Sequence, residues 1–202
     1  MKIRNIFKIS ILKSIWYSVK FKGKVFVGRG CKLSLAKSAK IKINRGILKL
    51  GISYNIPNKM IVQIEKNGQI IINGNVSIGR GCKIVIGENA KLEINNNSYI
   101  NECSKIVCMK RIIIGENCAL AWNVNILDTD YHFIIKNGTV KEREKEVIIH
   151  NKVWVGCNST ILKGSIIGEN SIISANSLVN TNIQNNVLFY NGKQVLGYDW
   201  KI

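Results

Sequence analysis

Residues 149–183 read IHNKVWVGCNSTILKGSIIGENSIISANSLVNTNI. Ile149, Val155, Ile161, Ile167, Ile173 and Val179 are all aliphatic and stand six apart. Four places after each comes a second recurring slot, filled by Val153, Ser159, Ser165, Ser171, Ser177 and Ile183. A helix repeats at about 3.6 residues and a flat strand at about 2, so neither yields a strict six. A period of six calls for a short strand, a corner, and then the same again. Large aliphatics point inward, small serines pack beside them, and Gly or Asn takes the corner, where positive φ costs them least. Coils of this kind stack into a parallel β-helix solenoid.

The same period extends upstream. It runs through Ile72, Ile78 and Ile84, through Ile94, Ile100, Ile106 and Ile112, and through Ile114, Leu120 and Ile126. Slips of two residues fall at Ile84/Ile86, Leu92/Ile94 and Ile112/Ile114, each expected to spend an extra residue pair at a corner. Between Val25 and Ile72 the coils are irregular, with alternating pairs at Val25/Val27, Leu33/Leu35 and Ile41/Ile43, and residues 51–60 read as a loop. The slot after Ile126 is residue 132, and it holds His132. The pattern then lapses through a charged excursion at 133–148, with Asn137-Gly138 at a turn, until Ile149 restores it in a new phase. A histidine is therefore expected in a core slot, with a loop leaving the solenoid just after it. Regular structure broken at a titratable residue is where function concentrates. Asn185-Asn186 is expected to end the repeat, so the solenoid spans 25–186 and residues 187–202 form a C-terminal tail.

Residues 1–24 differ. Ile6, Ile9, Leu12, Ile15, Trp16 and Val19 fall at helical spacing among seven basic residues and no acidic one, which predicts a basic amphipathic helix. Lys13 interrupts the apolar run, so neither a signal peptide nor a membrane span is expected. Two roles stay open: a cap on the end of the solenoid, or a peripheral contact with an anionic membrane. Over the whole chain 30 Lys+Arg face 12 Asp+Glu, a net charge of +18, which favours anionic partners. No nucleic-acid-binding motif accompanies the charge, so nucleic acid is not expected as a partner. The six cysteines form no C-x-x-C pair and no metal ligand set is apparent. Cys82 and Cys118 occupy small inward slots, and unpaired buried cysteines suit a reducing cytoplasm, so the protein is expected to be cytoplasmic or peripheral at the inner face of the cell membrane.

Val153-Trp154-Val155-Gly156-Cys157-Asn158, with the repeat over 161–179, resembles the hexapeptide-repeat acyltransferases, in particular the galactoside and maltose O-acetyltransferases and their relatives in polysaccharide gene clusters. The strong resemblance covers about residues 74–192. It implies a left-handed parallel β-helix, a homotrimer with clefts between subunits, acetyl-CoA as acyl donor without a metal, and a sugar or saccharide acceptor. It implies that His132, a coil before the Trp154 motif, is the general base. Asn101, in Ser98-Tyr99-Ile100-Asn101, and Trp154 match acceptor-side positions; an αL corner and a core anchor are their plainer readings. Gly156, Cys157 and Ala175 match positions along the coenzyme A arm. Asn180-Thr181 stands where the family carries Thr-Lys for the nucleotide end, so a phosphate-binding lysine is missing, and Lys163 or Lys193 is a substitute. The chain also lacks the proline of the family's closing segment.

The chemistry follows from what acyl transfer requires. A sugar hydroxyl is too weak an acid to attack a thioester unaided. A neutral imidazole, with an intrinsic pKa near ~6.5, removes its proton as the new bond forms and returns one to the departing thiolate. Asp130, or Asp128, is expected to hold the other ring nitrogen. Backbone amides near Gly156-Cys157 are expected to stabilise the oxyanion. Transfer is direct, so no cysteine needs a nucleophilic role. Rival readings are N-acetylation of an amino sugar, O-acetylation of an antibiotic, and a binding solenoid without catalysis. Carbonic anhydrase chemistry needs three histidines on zinc, and only His132 and His150 exist.

Overall fold

The computed structural model describes residues 9–52 and 58–201. Successive six-residue units turn by one wall of a triangular solenoid. Ile149 and Ile167 face inward from a six-stranded sheet, Val155 and Ile173 from a nine-stranded one, and Ile161 and Val179 from a seven-stranded one. The fold is the expected left-handed parallel β-helix with one N-terminal helix. All six aliphatics are fully buried, as are Ser159, Ser165 and Ser171 in the second slot. Serine is tolerated there because its hydroxyl donates to a backbone carbonyl: Ser159 to Ser174 O at 3.0 Å, Ser165 to Val179 O at 3.2 Å and Ser171 to Gln184 O at 2.7 Å. Burying one aliphatic is worth roughly 1.5–3 kcal/mol and a net hydrogen bond about 0.5–1.5 kcal/mol. The inward columns therefore hold the rod and the serines fix its register.

The corners explain the asparagines. Lys152, Asn158, Gly164, Asn170 and Asn176 all have φ between 53° and 78° and again stand six apart. Asparagine side-chain amides at such corners bond along the rod, Asn123 to Asn158 at 2.9 Å and Asn170 to Asn186 at 2.8 Å. The two-residue slips lie elsewhere than expected. Ile84 and Ile86 share the strand Lys83–Ile86, Leu92 and Ile94 share Lys91–Asn95, and Ile112 and Ile114 share Arg111–Ile114, all of them buried. The extra pair lengthens a strand and not a corner, because a strand alternates at two and so presents a second inward aliphatic. Lys83 pairs with Lys105, Lys105 with Asn125, and Ile148 with Ile166, so the coils shorten from 22 to 20 to 18 residues along the rod.

The first strand, β1 (Lys24–Val27), would be an open edge of the nine-stranded sheet. Helix α1 (Ile11–Lys20) covers it. The Val27 amide donates to Ser14 Oγ at 2.9 Å and the Val25 amide to Ser18 Oγ at 3.0 Å. Two serines one helical turn apart thus replace the missing neighbouring strand. Ser14 is buried and Tyr17 and Phe21 pack partly against the core. The helix covers the edge without its apolar row: Leu12, Ile15, Trp16 and Val19 are 55–83% exposed. The helix docks by its opposite face. Ile9 is buried just ahead of it, bridged to Gly28. Ile6, the basic residues ahead of Ile9, and the centre of the 51–60 loop lie outside the described residues. Ser14→Ala leaves a buried amide unpaired and is expected to lower the unfolding free energy by about 1–3 kcal/mol, read from urea denaturation.

The other end also departs from expectation. Val187–Tyr190 adds to the nine-stranded sheet in parallel with Ile172–Ile173, burying Val187 and Phe189, so the repeat runs one strand past Asn185-Asn186. Lys193–Leu196 then pairs antiparallel with it. Among the described residues no helix is long and apolar enough to cross a membrane.

Candidate active site

On the outer face of the nine-stranded sheet, Tyr99, Ala119, Trp154, Ile172 and Leu188 follow one another in register. Each immediately precedes an inward aliphatic or Phe189, so each points outward. Beside them runs the corner to the seven-stranded sheet, with Asn101, Ala121, Trp122, Gly156, Cys157 and Ala175. Together these residues line a groove of about 400 Å³. Five of the positions expected from the sequence, Asn101, Trp154, Gly156, Cys157 and Ala175, are thereby brought to one place. Small side chains between aromatic ones keep the groove open, and Trp122, 57% exposed, stands at its rim. Gly156 has a structural reason of its own: a Cβ there would lie 2.5 Å from Ala175 N.

Trp122 and Tyr99 join the site without being candidates from the sequence. Their signal is present in it: Trp122 follows the core Leu120 by two, as Cys157 follows Val155, and Tyr99 precedes Ile100 as Trp154 precedes Val155. Trp154 is partly engaged by the C-terminal tail, its ring 6.2 Å from that of Trp200, whose indole N–H donates to Lys152 O at 2.9 Å. The Gly156 amide donates to Ile173 O at 2.7 Å, leaving the Cys157 N–H without a partner among the described residues. Of the amides expected to serve an oxyanion, Cys157 is the one still available.

The excursion after Ile126 is a built β-ribbon. Asp130 N donates to Arg143 O at 3.0 Å and Lys145 N to Asp128 O at 2.9 Å, and the ribbon ends in the hairpin Ile135–Lys136/Thr139–Val140 over Asn137-Gly138, both at positive φ. Its far arm rejoins the solenoid at Val147–Ile149, so Val147 and Ile148 belong to a strand and the loop closes at residue 146. Val147 pairs with Ile112 and fills the core position. His132 does not take a core slot: the solenoid skips it and leaves it exposed on the ribbon. Tyr131 beside it is held at φ 60°, a left-handed conformation costing roughly 1–2 kcal/mol for such a residue. Its amide is fixed by Thr129 Oγ1 at 2.9 Å.

The two carboxylates expected to orient His132 have other partners. Asp128 is fully buried and accepts from Met109 N at 2.6 Å and Lys110 N at 2.8 Å, capping the coil beneath. Burial raises its carboxyl above the usual range, against the lowering effect of those amides. Asp130 pairs with Lys163 at 2.8 Å. Lys163 Nζ also donates to Glu142 O, so this lysine pins the ribbon and is not a spare phosphate ligand. Asn180 and Thr181 are exposed after the strand Leu178–Val179, outside the groove. Lys193 lies opposite Tyr190 in the terminal hairpin, one strand beyond the groove's Leu188. Burial pushes the thiols of Cys31 and Cys82 up to about 12 and that of Cys118 to about 11, and raises Cys108 as well, so these four are protonated and inert.

Comparison with known proteins agrees with this fold. The family described as bacterial transferase hexapeptide (six repeats) matches residues 146–181. A polysialic acid O-acetyltransferase of Neisseria meningitidis is 29% identical over 143 residues, 69% of this chain and 55% of that protein. An uncharacterised 24.8 kDa protein of the cps region of Klebsiella pneumoniae is 25% identical over 63% of this chain and 57% of its own. The chain thus spans a little over half the length of these curated relatives. Among solved structures, the polysialic acid O-acetyltransferase OatWY superposes with a TM-score of 0.62 at 21% identity, covering 86% of this chain and 89% of that one. Residues 146–181 thus match the bacterial transferase hexapeptide model, and the chain as a whole has the fold of the hexapeptide-repeat acyltransferases.

Proposed function

We propose that this protein is an O-acetyltransferase that moves an acetyl group from acetyl-CoA to a hydroxyl of a saccharide, with His132 as general base. The observation that carries this reading is the groove, in which an apolar floor of small residues meets Asn101, Tyr99 and two tryptophans. The channel beside Ala119, Ala121 and Ala175 suits the pantetheine arm, and the Cys157 N–H is available to donate to the oxyanion that develops on the thioester oxygen. Trp122 and Trp154 offer faces on which a sugar ring packs. The relatives named as polysialic acid O-acetyltransferases support a saccharide acceptor. The acceptor hydroxyl attacks the thioester carbonyl as His132 takes its proton; the C–S bond then breaks and the proton passes to the coenzyme A thiolate.

His132 does not line the groove of its own chain. We therefore place it over the groove of a second copy, in a trimer whose ribbons bring Phe133, Ile134 and Ile135, all 45–68% exposed, against a neighbour. Incubation with acetyl-CoA and a panel of saccharides, following thiol release and acetylated product, tests the reaction. No transfer to any saccharide, or light scattering of a monomer at micromolar concentration, would sink this reading.

A further inference from the structure

We propose that helix α1 and the basic surface beside it form a docking face for an anionic lipid membrane, independently of the reaction proposed above. Ile11, Leu12, Ile15, Trp16 and Val19 form one continuous stripe at i, i+1, i+4, i+5 and i+8, all 55–83% exposed. A helix on a globular domain normally turns such a stripe inward. This one is held the other way by Ser14 and Ser18, whose hydroxyls are bound to the Val27 and Val25 amides. The stripe cannot roll inward without breaking both bonds and reopening the sheet edge.

Charge selects the occupant. Fifteen of the thirty basic residues and none of the twelve acidic ones lie in residues 1–64, so this part of the chain carries nearly all of the net charge of +18. At the C-terminal end of α1, Lys20, Lys22, Lys40 and Lys42 line one depression of about 580 Å³. Lys20 also sits over the Trp16 ring, 4.7 Å from its centroid. A second copy meeting this face through its own α1 face would bring the same surplus of charge against it and is disfavoured there. A soluble polyanion satisfies the lysines but leaves five apolar side chains in water. An interface of acyl chains beneath anionic headgroups satisfies both, the stripe entering roughly 5–10 Å while the lysines meet phosphates. Trp16 is the residue type that favours that boundary.

The test is flotation of the full chain with vesicles of phosphatidylcholine alone or mixed with phosphatidylglycerol. Binding is expected to the mixed vesicles at low salt, to fall as salt rises, and to be weak on phosphatidylcholine. The variant Leu12→Ser/Ile15→Ser/Val19→Ser keeps the serine contacts and is expected to lose about tenfold or more of vesicle affinity. The variant Lys22→Glu/Lys40→Glu/Lys42→Glu is expected to lose binding and to flatten the salt dependence. An unchanged thermal transition in both variants shows that the fold is intact. Brominated acyl chains should quench wild-type fluorescence, and Trp16→Phe should remove most of that quenching. Equal flotation of wild type and the serine variant, or no flotation of either, overturns the proposal. So does a serine variant that binds vesicles normally but changes oligomeric state, which would make the stripe a contact between copies.

Discussion

His132→Ala is expected to lower turnover by roughly 10²–10⁴-fold, the usual worth of a positioned general base, while leaving acetyl-CoA binding within about twofold. The division follows from the geometry. The groove that would hold the thioester is built from the nine-stranded sheet and its corner, whereas His132 stands on the ribbon and touches none of it. Removing the imidazole disturbs no core contact, because the side chain is exposed and the core slot belongs to Val147. Turnover from coenzyme A thiol release and acetyl-CoA binding from calorimetry separate the two effects. A variant retaining the wild-type rate removes His132 from the mechanism. Asp130→Asn should cost less, because the carboxylate holds Lys163 and not the imidazole.

Asp128→Ala is expected to lower the unfolding free energy by roughly 2–5 kcal/mol, because two amides, Met109 N and Lys110 N, lose their acceptor together. The same aspartate roots the ribbon through its carbonyl and Lys145 N, so activity should fall with stability. Asp128→Asn keeps one acceptor oxygen and should cost less. The pH dependence has a definite sign. Burial raises the Asp128 carboxyl above its unfolded value, so its contribution is fully present below the unfolded pKa and declines as pH rises through the folded one. Asparagine does not titrate. The stability gap between wild type and Asp128→Asn should therefore be wider near pH 4 than near pH 7, measured by urea denaturation at both. A gap that widens with pH would show that the amides, and not burial, dominate.

The solenoid was legible because one rule, an aliphatic every six residues, is enforced by packing at each turn. Ile149 to Val179 all lie where the count places them. The groove was legible at Asn101, Trp154, Gly156, Cys157 and Ala175 because outward and corner positions keep fixed offsets from those aliphatics. Trp122 obeys the same offset one coil earlier, where no recurring motif marks it. The ribbon was not legible in detail. Its partners, Lys163 for Asp130 and the 109–110 amides for Asp128, lie one coil away in space but 18 to 33 residues away in sequence, where no period links them. The orientation of α1 was hidden for a similar reason. An apolar stripe at helical spacing predicts a buried face, and only the two serines, spaced to meet alternate amides of β1, decide otherwise.

The near-constant offset between stacked strands has a consequence for how the chain is made. From the strand Ile61–Ile64 onward, each coil pairs with a neighbour about 22, 20, 18 or, at the last turn, 16 residues away, the ribbon being the one long interruption. No coil waits for a distant part of the chain, so the entropy of closing each turn is small and similar. Growth can begin at the end covered by α1 and proceed in the order of synthesis, each completed turn serving as template for the next. The antiparallel strand Lys193–Leu196 then stops the propagation, as it turns the last edge back on itself.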